Sequence, residues 1–385
     1  MLMIAERIDR VKESGTMKMK ELAGQKKAEG KKIISFTVGE PDFDTPRHIV
    51  DAARKALDEG RTRYLNAAGL PELREAIAAR AKSFNNLPCD ASNVMVAPTK
   101  HAIFETIMAT VNPGEEVIMP DPSWVSYEPA TALAGGKAVP VTTTQEDEWR
   151  LLPESVAELI TPKTKMILLN SPSNPCGSIV TREDVKGIAD LAKDHDLVVL
   201  SDEVYENILF DGHKHYSIGA EPGMFDRTVT ISGFSKTYAM TGWRLGWLVA
   251  PKPLFKAINK VQQHTITHAT TFAQYGGLEA LTGPQDCVDM MVKEFGERRD
   301  LVMKLLKEIP QLHCDTPKGA FYAFPRFDGD MTSAEMSLFL MDKAEVAITP
   351  GSAFGAAGEK HLRISYATNK ENIQKGLESV KNALA

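Results

Sequence analysis

Three short apolar runs, Lys165-Met-Ile-Leu-Leu169, Leu197-Val-Val-Leu200 and Thr228-Val-Thr-Ile231, each run straight into a polar cluster. The clusters are Asn170-Ser-Pro-Ser-Asn-Pro-Cys-Gly177, Ser201-Asp-Glu203 and the Gly/Ser turn that carries Lys236. A helical stretch from about Arg182 to His195 separates the first two runs. Strands this apolar have no polar face to show to water, and with helices between them they predict an α/β fold: a mostly parallel sheet covered on both sides. Such sheets bind their ligands beyond the carboxyl ends of the strands. Asn174, Asp202 and Lys236 each fall just past the end of one run, so this topology gathers three chemically capable side chains at one edge.

The 385 residues, 43% of them hydrophobic, are enough for two cores. Residues 1–45 read as an arm with one polar helix, part of a small domain and closed by Gly39-Glu-Pro-Asp-Phe-Asp-Thr-Pro46. Helices and strands alternate over 46–285, the expected large domain. Its elements include a helix capped by Asp44 or Thr45 and running to Leu57, a helix over Leu70–Arg80 with Pro71 in its first turn, and a strand at Val94–Ala97 leading into a helix from Thr99. Over 286–385 the pattern changes to a long amphipathic helix, Val288–Lys307, the segment Gly319-Ala-Phe-Tyr-Ala-Phe324, a further helix, the strand-like Leu362-Arg-Ile-Ser-Tyr366 and a final helix. This is the expected smaller α+β domain.

A net charge of −6 argues against general nucleic-acid binding, which needs concentrated Lys and Arg. No apolar run approaches the ~18 residues of a membrane span, and the N-terminus lacks the pattern of a signal peptide. Cys89, Cys176, Cys287 and Cys314 are scattered without CxxC spacing; neither zinc nor disulfides are expected, and a cytoplasmic location fits. No GxGxxG follows an early strand, which disfavours a nicotinamide dehydrogenase.

The run Ser232-Gly-Phe-Ser-Lys-Thr-Tyr-Ala-Met-Thr-Gly-Trp-Arg-Leu-Gly246 carries the most chemistry. Lys236 sits in a tight turn on a rigid strand, and Arg244 supplies a fixed cation within reach. Nearby positive charge and partial desolvation both lower a lysine's pKa, as a Schiff-base amine beside a phosphate requires. Taken singly, each residue has a plainer use: Lys236 as a surface turn, Asp202 as a cap, Asn174 as a turn, Trp124 as core and Arg363 as a solvent-facing strand residue.

Taken in order, these segments resemble the class I pyridoxal-phosphate aminotransferases of the fold-type I superfamily. The run at 233–246 fits that family's lysine motif, and the segments at 39–46, 170–177, 201–205 and Pro350-Gly-Ser-Ala-Phe-Gly355 support it. The resemblance implies a pyridoxal 5'-phosphate cofactor with Lys236 as its Schiff-base lysine and later as the proton carrier. It implies that Asp202 pairs with the pyridine nitrogen, that Asn174 and Tyr205 bond the ring oxygen, and that Trp124 stacks on the ring. Arg244, Ser232 or Ser235, and the helix start at Thr99 and Lys100 would hold the phosphate. Pro98 stands where the family commonly has a glycine, and since proline has no N–H one donor is lost.

For substrate, the resemblance implies that Arg363 and the N–H of Gly39 hold the α-carboxylate. Lys100, with Ser14 and Thr16, would meet the distal carboxylate of aspartate or glutamate. Tyr64, and Thr270 or Thr271, would reach the phosphate of a second subunit in a homodimer with shared sites. The implied reaction is L-aspartate with 2-oxoglutarate. An aromatic amino acid aminotransferase is the alternative, and a carbon–sulfur β-lyase shares most of the same residues.

Overall fold

The computed structural model describes residues 4–11, 13 and 15–385. Its centre is a seven-stranded sheet of β1 (Val94–Val96), β2 (Glu116–Asp121), β3 (Lys137–Thr142), β4 (Thr164–Asn170), β5 (Val198–Asp202), β6 (Thr228–Gly233) and β7 (Gly246–Val249). The strand order is β1-β7-β6-β5-β4-β2-β3. All neighbours pair in parallel except those of β7, which runs antiparallel to both β1 and β6. The expected parallel sheet is present, with one reversed strand that the sequence pattern did not single out. Nearly every residue of β1, β4, β5 and β6 is buried, because helices cover both faces. One apolar layer packs Ala102, Ile103 and Ile107 against Met166, Leu168 and Leu200; the other packs Val185, Ile188 and Ala189 against Ile167, Leu169 and Val199. Alternate residues of one strand therefore serve opposite layers.

The reversal of β7 has a positional effect. The carboxyl ends of β1, β2, β4, β5 and β6 share an edge, and the residues just before β7 lie at that same edge. Lys236, after β6, and Arg244, before β7, are thus borne on one connection between paired neighbours, Gly233 opposite Gly246.

A separate apolar cluster joins the helix Asp286–Leu306, through Phe295, Val302 and Leu306, to Phe321, Ile364, Ile373 and Leu377. Phe36, from near the N-terminus, enters it too, and Ile34–Ser35 pairs in parallel with Val346–Ala347. The strand Leu362–Ser365 lies between Tyr322–Ala323 and Thr349–Pro350, antiparallel to both.

The helix after Pro46 spans Arg47–Asp58 with no side-chain cap. The expected cap is absent because Pro46 occupies that position and Thr45 is engaged elsewhere: its Oγ1 donates to the Ala239 carbonyl at 2.7 Å and accepts from Trp243 Nε1 at 3.0 Å. The 39–46 loop is thereby tied to the Lys236–Arg244 turn. Among the described residues, no helix is long and apolar enough to cross a membrane.

Candidate active site

Asn170, the last residue of β4, pairs with Asp202, the last of β5. Asp202 is buried. The Tyr127 hydroxyl donates to its Oδ2 at 2.7 Å and the Val204 N–H to its Oδ1 at 3.3 Å. Burial pushes this carboxyl up to about 6, against the lowering effect of those two bonds and of the Lys236 charge. Above that pH it is an anion in a dry setting, which suits it to hold a buried cation.

Lys236 lies three residues past β6, in the short helix Phe234–Thr237. The side chain is part-buried and its Nζ donates to the Gly39 carbonyl. Enclosure of the amine brings it down to about 8; Glu40 opposes this, while Arg363 and Arg244 assist it. An amine with a pKa near 8 is partly neutral at physiological pH and so available as a nucleophile or base. Arg244 is exposed, holds a left-handed backbone (φ +54°, ψ +47°) and donates to the Thr241 carbonyl at 2.9 Å. Ala239 shares that backbone region at φ +51°. Such conformations cost non-glycine residues energy and concentrate at ligand clamps.

The helix Thr99–Thr110 starts against this turn. Its first intrahelical bonds, from the His101 and Ala102 N–H groups, both go to Pro98 O, which leaves the Thr99 and Lys100 N–H groups aimed outward from the helix start. A Cβ at Gly233 or at Gly246 would collide with Thr99 Oγ1, so both glycines are needed for this close approach. Ser232 Oγ is turned the other way, donating to Glu206 Oε1 at 2.6 Å. Ser235 Oγ makes no side-chain hydrogen bond among the described residues.

Arg363, the second residue of its strand, is 3% exposed. Its Nη1 donates to Asn174 Oδ1 at 3.2 Å and its Nη2 to the Thr37 carbonyl, while its Nε has no partner. The guanidinium lies 4.8 Å from the Tyr322 ring centre and 4.9 Å from that of Phe354. Tyr205 and Tyr322 share a hydroxyl–hydroxyl bond of 2.7 Å, and a Cβ at Gly39 would strike the Tyr322 hydroxyl. Lys100 is exposed, with its Nζ 4.8 Å from the centre of the Trp124 indole. Desolvation, then the Arg244 charge, hold its amine below the ordinary lysine value.

The structure thus brings Gly39, Asn174, Asp202, Tyr205, Lys236 and Arg363 together through direct contacts or mutual charge effects, with Lys100, Trp124 and Arg244 at the same edge. Tyr64 stands apart, 88% exposed and edge-on to His268. Thr271 is nearby, donating to the Arg63 carbonyl at 2.8 Å, and Thr270 precedes the helix Thr271–Thr282. Ser14 lies outside the described residues, as does the side chain of Thr16. Tyr127 and Tyr322 went unread in the sequence. Tyr127 sits three residues after Trp124 and Tyr322 lies within the Gly319–Phe324 segment, where neither local sequence carries a pattern for a hydroxyl partner.

A family model described as aminotransferase class I and II matches residues 31–380. The chain belongs to the class I and II aminotransferases. It is 45% identical to an aspartate aminotransferase of Pyrococcus abyssi, over 99% of this chain and 98% of that protein. It is 43% identical to aromatic-amino-acid aminotransferase 2 of Thermococcus litoralis, again over 99% of this chain and 98% of the relative. A solved structure of Thermus thermophilus aspartate aminotransferase with maleate is similar with a TM-score of 0.95 at 38% identity, covering 100% of each chain. The fold and the enzyme class implied by the sequence are those of this aminotransferase family.

Proposed function

We propose that this aminotransferase is pyridoxal-phosphate dependent and transfers the amino group of L-aspartate to 2-oxoglutarate. The donor set fits the cofactor. A dry carboxylate, a low-pKa amine, outward N–H groups at a helix start and the Arg244 cation answer, in turn, a pyridinium, an aldehyde and a phosphate. Asp202 would hold the ring nitrogen; Lys236 would bind covalently; Asn174 and Tyr205 would bond the ring oxygen; Trp124 would cover the ring. Thr99, Lys100, Ser235 and Arg244 would hold the phosphate. Ser232 is committed to Glu206 and is dropped from that set. When bound, the cofactor supplies an aldehyde that takes up the amino group and a ring that draws off the electron pair left on the α-carbon.

The chain's own groups do the rest. Arg363, with an unpartnered Nε and two aromatic walls, is placed to grip the α-carboxylate, and the partly neutral Lys236 amine can carry a proton away from the α-carbon. The proposed division is an arm over 1–45, a large domain over 46–285 and a small one over 286–385; the cluster around Phe295, Phe321 and Ile364 forms the core of the last and also takes in Val204, Tyr205, Ile208 and Ala239, so the boundary is a packed one, with Arg363 and Lys236 on its two sides.

The observation that carries the aspartate assignment is the Lys100 amine over Trp124 at the edge that holds the site. A cation there attracts a distal carboxylate and offers little to a benzyl group. The aromatic reading has its own support in the Tyr322 and Phe354 rings flanking Arg363 and in the aromatic-aminotransferase relative. A half-reaction screen decides between them: the loaded protein is mixed with single amino acids and the change in its visible absorbance is timed. Aspartate is expected to react faster than phenylalanine or tyrosine, with 2-oxo acid released and no ammonia; ammonia with pyruvate would instead mark a β-lyase. Lys100→Gln is expected to weaken the aspartate reaction about tenfold, the scale of one charge-assisted contact, and to leave phenylalanine nearly unchanged. Equal losses on both substrates would remove Lys100 from side-chain recognition.

The active unit proposed is a homodimer with shared sites. Tyr64 is too exposed for a packed aromatic, and Thr271 bonds the residue next to it. Mixing Tyr64→Ala with Lys236→Ala should restore activity well above either variant alone, since one hybrid site then has both residues. Proven subunit exchange without recovery would show that each site is complete in one chain.

A further inference from the structure

Behind the edge lies a cluster that the reaction does not use. Along Asp202-Glu203-Val204-Tyr205-Glu206, residues 202 and 205 face the proposed site while 203 and 206 turn inward, each 1% exposed. Glu203 Oε1 accepts from Ser201 and Ser217, both at 2.8 Å. Its Oε2 accepts from Asn85 at 2.9 Å and meets His215 Nε2 at 2.8 Å. Glu206 Oε1 meets Ser232 Oγ at 2.6 Å and Arg80 Nη1 at 3.0 Å, and its Oε2 accepts from Asn85 at 2.5 Å. Phe84 lies over His215, its ring plane 18° from parallel, and over the Arg80 guanidinium, 4.4 Å from the ring centre. The His215 side chain is 5% exposed.

Two carboxylates and an imidazole this close resemble a cation site, since their ligand atoms lie within 4.8 Å of one another. The hydrogen bonds argue otherwise. All four carboxylate oxygens already have protein donors, and Arg80 stands where a second cation would be repelled. A different role follows from what the cluster touches. The Glu203 N–H donates to Ile231 O at 2.8 Å across the β5–β6 junction. Ser232 is in β6, four residues ahead of Lys236, and Asn207 donates to Thr237 Oγ1 at 3.0 Å.

We propose that Glu203, Glu206, His215 and Arg80 are positioning residues: two buried carboxylates matched by one guanidinium and one imidazolium fix the ends of β5 and β6 in the register that presents Asp202 and Lys236. This rests on the assignment of those two residues to the reaction. Unmatched buried charge is costly, so loss of the imidazolium leaves two carboxylates facing one cation and loosens the strand ends.

The groups facing His215 decide its titration. Burial alone would lower it; the charge and hydrogen bond of Glu203, with Glu206 behind, outweigh that, and only Arg80 adds to the lowering. The net direction is upward. Its stabilising contribution is therefore complete below the ordinary imidazole value of about 6.5 and lost as pH rises through the raised value.

The test is His215→Gln. In the cofactor-free protein, the melting temperature should fall most at pH 6, and the gap to wild type should close as pH rises through the His215 titration. In the loaded enzyme, kcat should drop about tenfold near pH 6.5, the scale on which a slightly displaced reacting group loses rate, with KM for the amino acid little changed. The kcat ratio should shrink over the same pH range. Ser217→Ala, which removes only one neutral donor to Glu203 and keeps the imidazolium, should lower stability and kcat by less, with no gap that closes as His215 titrates; His215→Asn stands in if His215→Gln fails to fold. Ile188→Val, in the opposite apolar layer, should lower stability without altering the pH profile. A wild-type kcat in the His215 variant, or a ratio for that variant that does not vary with pH, overturns the positioning role. Full activity of Lys236→Ala would instead overturn the underlying site.

Discussion

Lys236→Ala is expected to lower turnover by about 10⁴-fold or more, since it removes both the covalent anchor and the proton carrier. The fold should survive. The amine's one described hydrogen bond goes to the Gly39 carbonyl, and its lowered pKa shows that the folded chain holds this charge at a cost. Far-UV circular dichroism and the melting curve should therefore match wild type. The wild-type protein, loaded with pyridoxal phosphate and reduced with borohydride, should carry the label on residue 236. Uptake by the cofactor-free chain should speed up as pH rises through about 8, because only the unprotonated amine attacks an aldehyde. A label on any other lysine, or a pH-independent uptake, contradicts the assignment.

Asp202→Asn is the second large effect, expected at about 10³-fold in kcat, the scale for removing one preorganised charge from a dry site. Its sign on stability is the opposite of its sign on rate. The native carboxyl has its pKa raised to about 6, so the folded state binds the proton more readily than the unfolded chain. Stability from this group is present at low pH and falls as pH rises through about 6. At pH 7 the ionised Asp202 weighs against folding, and the neutral amide relieves it: its Oδ1 can accept from the Val204 N–H while its amide N–H donates to the Tyr127 hydroxyl oxygen. The cofactor-free variant should melt no lower than wild type at pH 7 and should lose its advantage progressively as pH falls from about 6 to about 4. A variant that melts well below wild type at pH 7 would mean that Asp202 is a structural ion rather than a charge kept for chemistry.

Much of this site was legible because its residues sit at fixed offsets from strand ends. Asn174, Asp202 and Lys236 follow runs whose apolar character is dictated by burial on both faces, so their common edge follows from the fold class alone. Elements without such a run were harder to read. β7 is only Gly246-Trp-Leu-Val249, too short to announce a strand, and its reversal follows from pairing with β6 and β1 rather than from its own residues. The cap expected from Thr45 failed because tertiary demand for its hydroxyl, from Ala239 and Trp243, outweighed the local preference. Tyr127 and Tyr322 gain meaning only through partners far along the chain, Asp202 and Tyr205. Glu203 and Glu206 look like a solvated acidic pair in the sequence; what buries them is Arg80, Asn85 and His215, which no local window contains.

The antiparallel turn-back at β7 has one more consequence. Lys236 and Arg244 ride on a single connection, residues 234–245, whose two ends are held opposite each other by the pairing of Gly233 with Gly246. In the proposed site, the spacing from the Lys236 amine to the Arg244 guanidinium is therefore a property of this one connection and does not depend on where Arg363 stands. Length changes are correspondingly lopsided in their effect: a residue inserted into the link destroys the spacing, whereas one inserted in the exposed turn at Gly329 leaves it untouched.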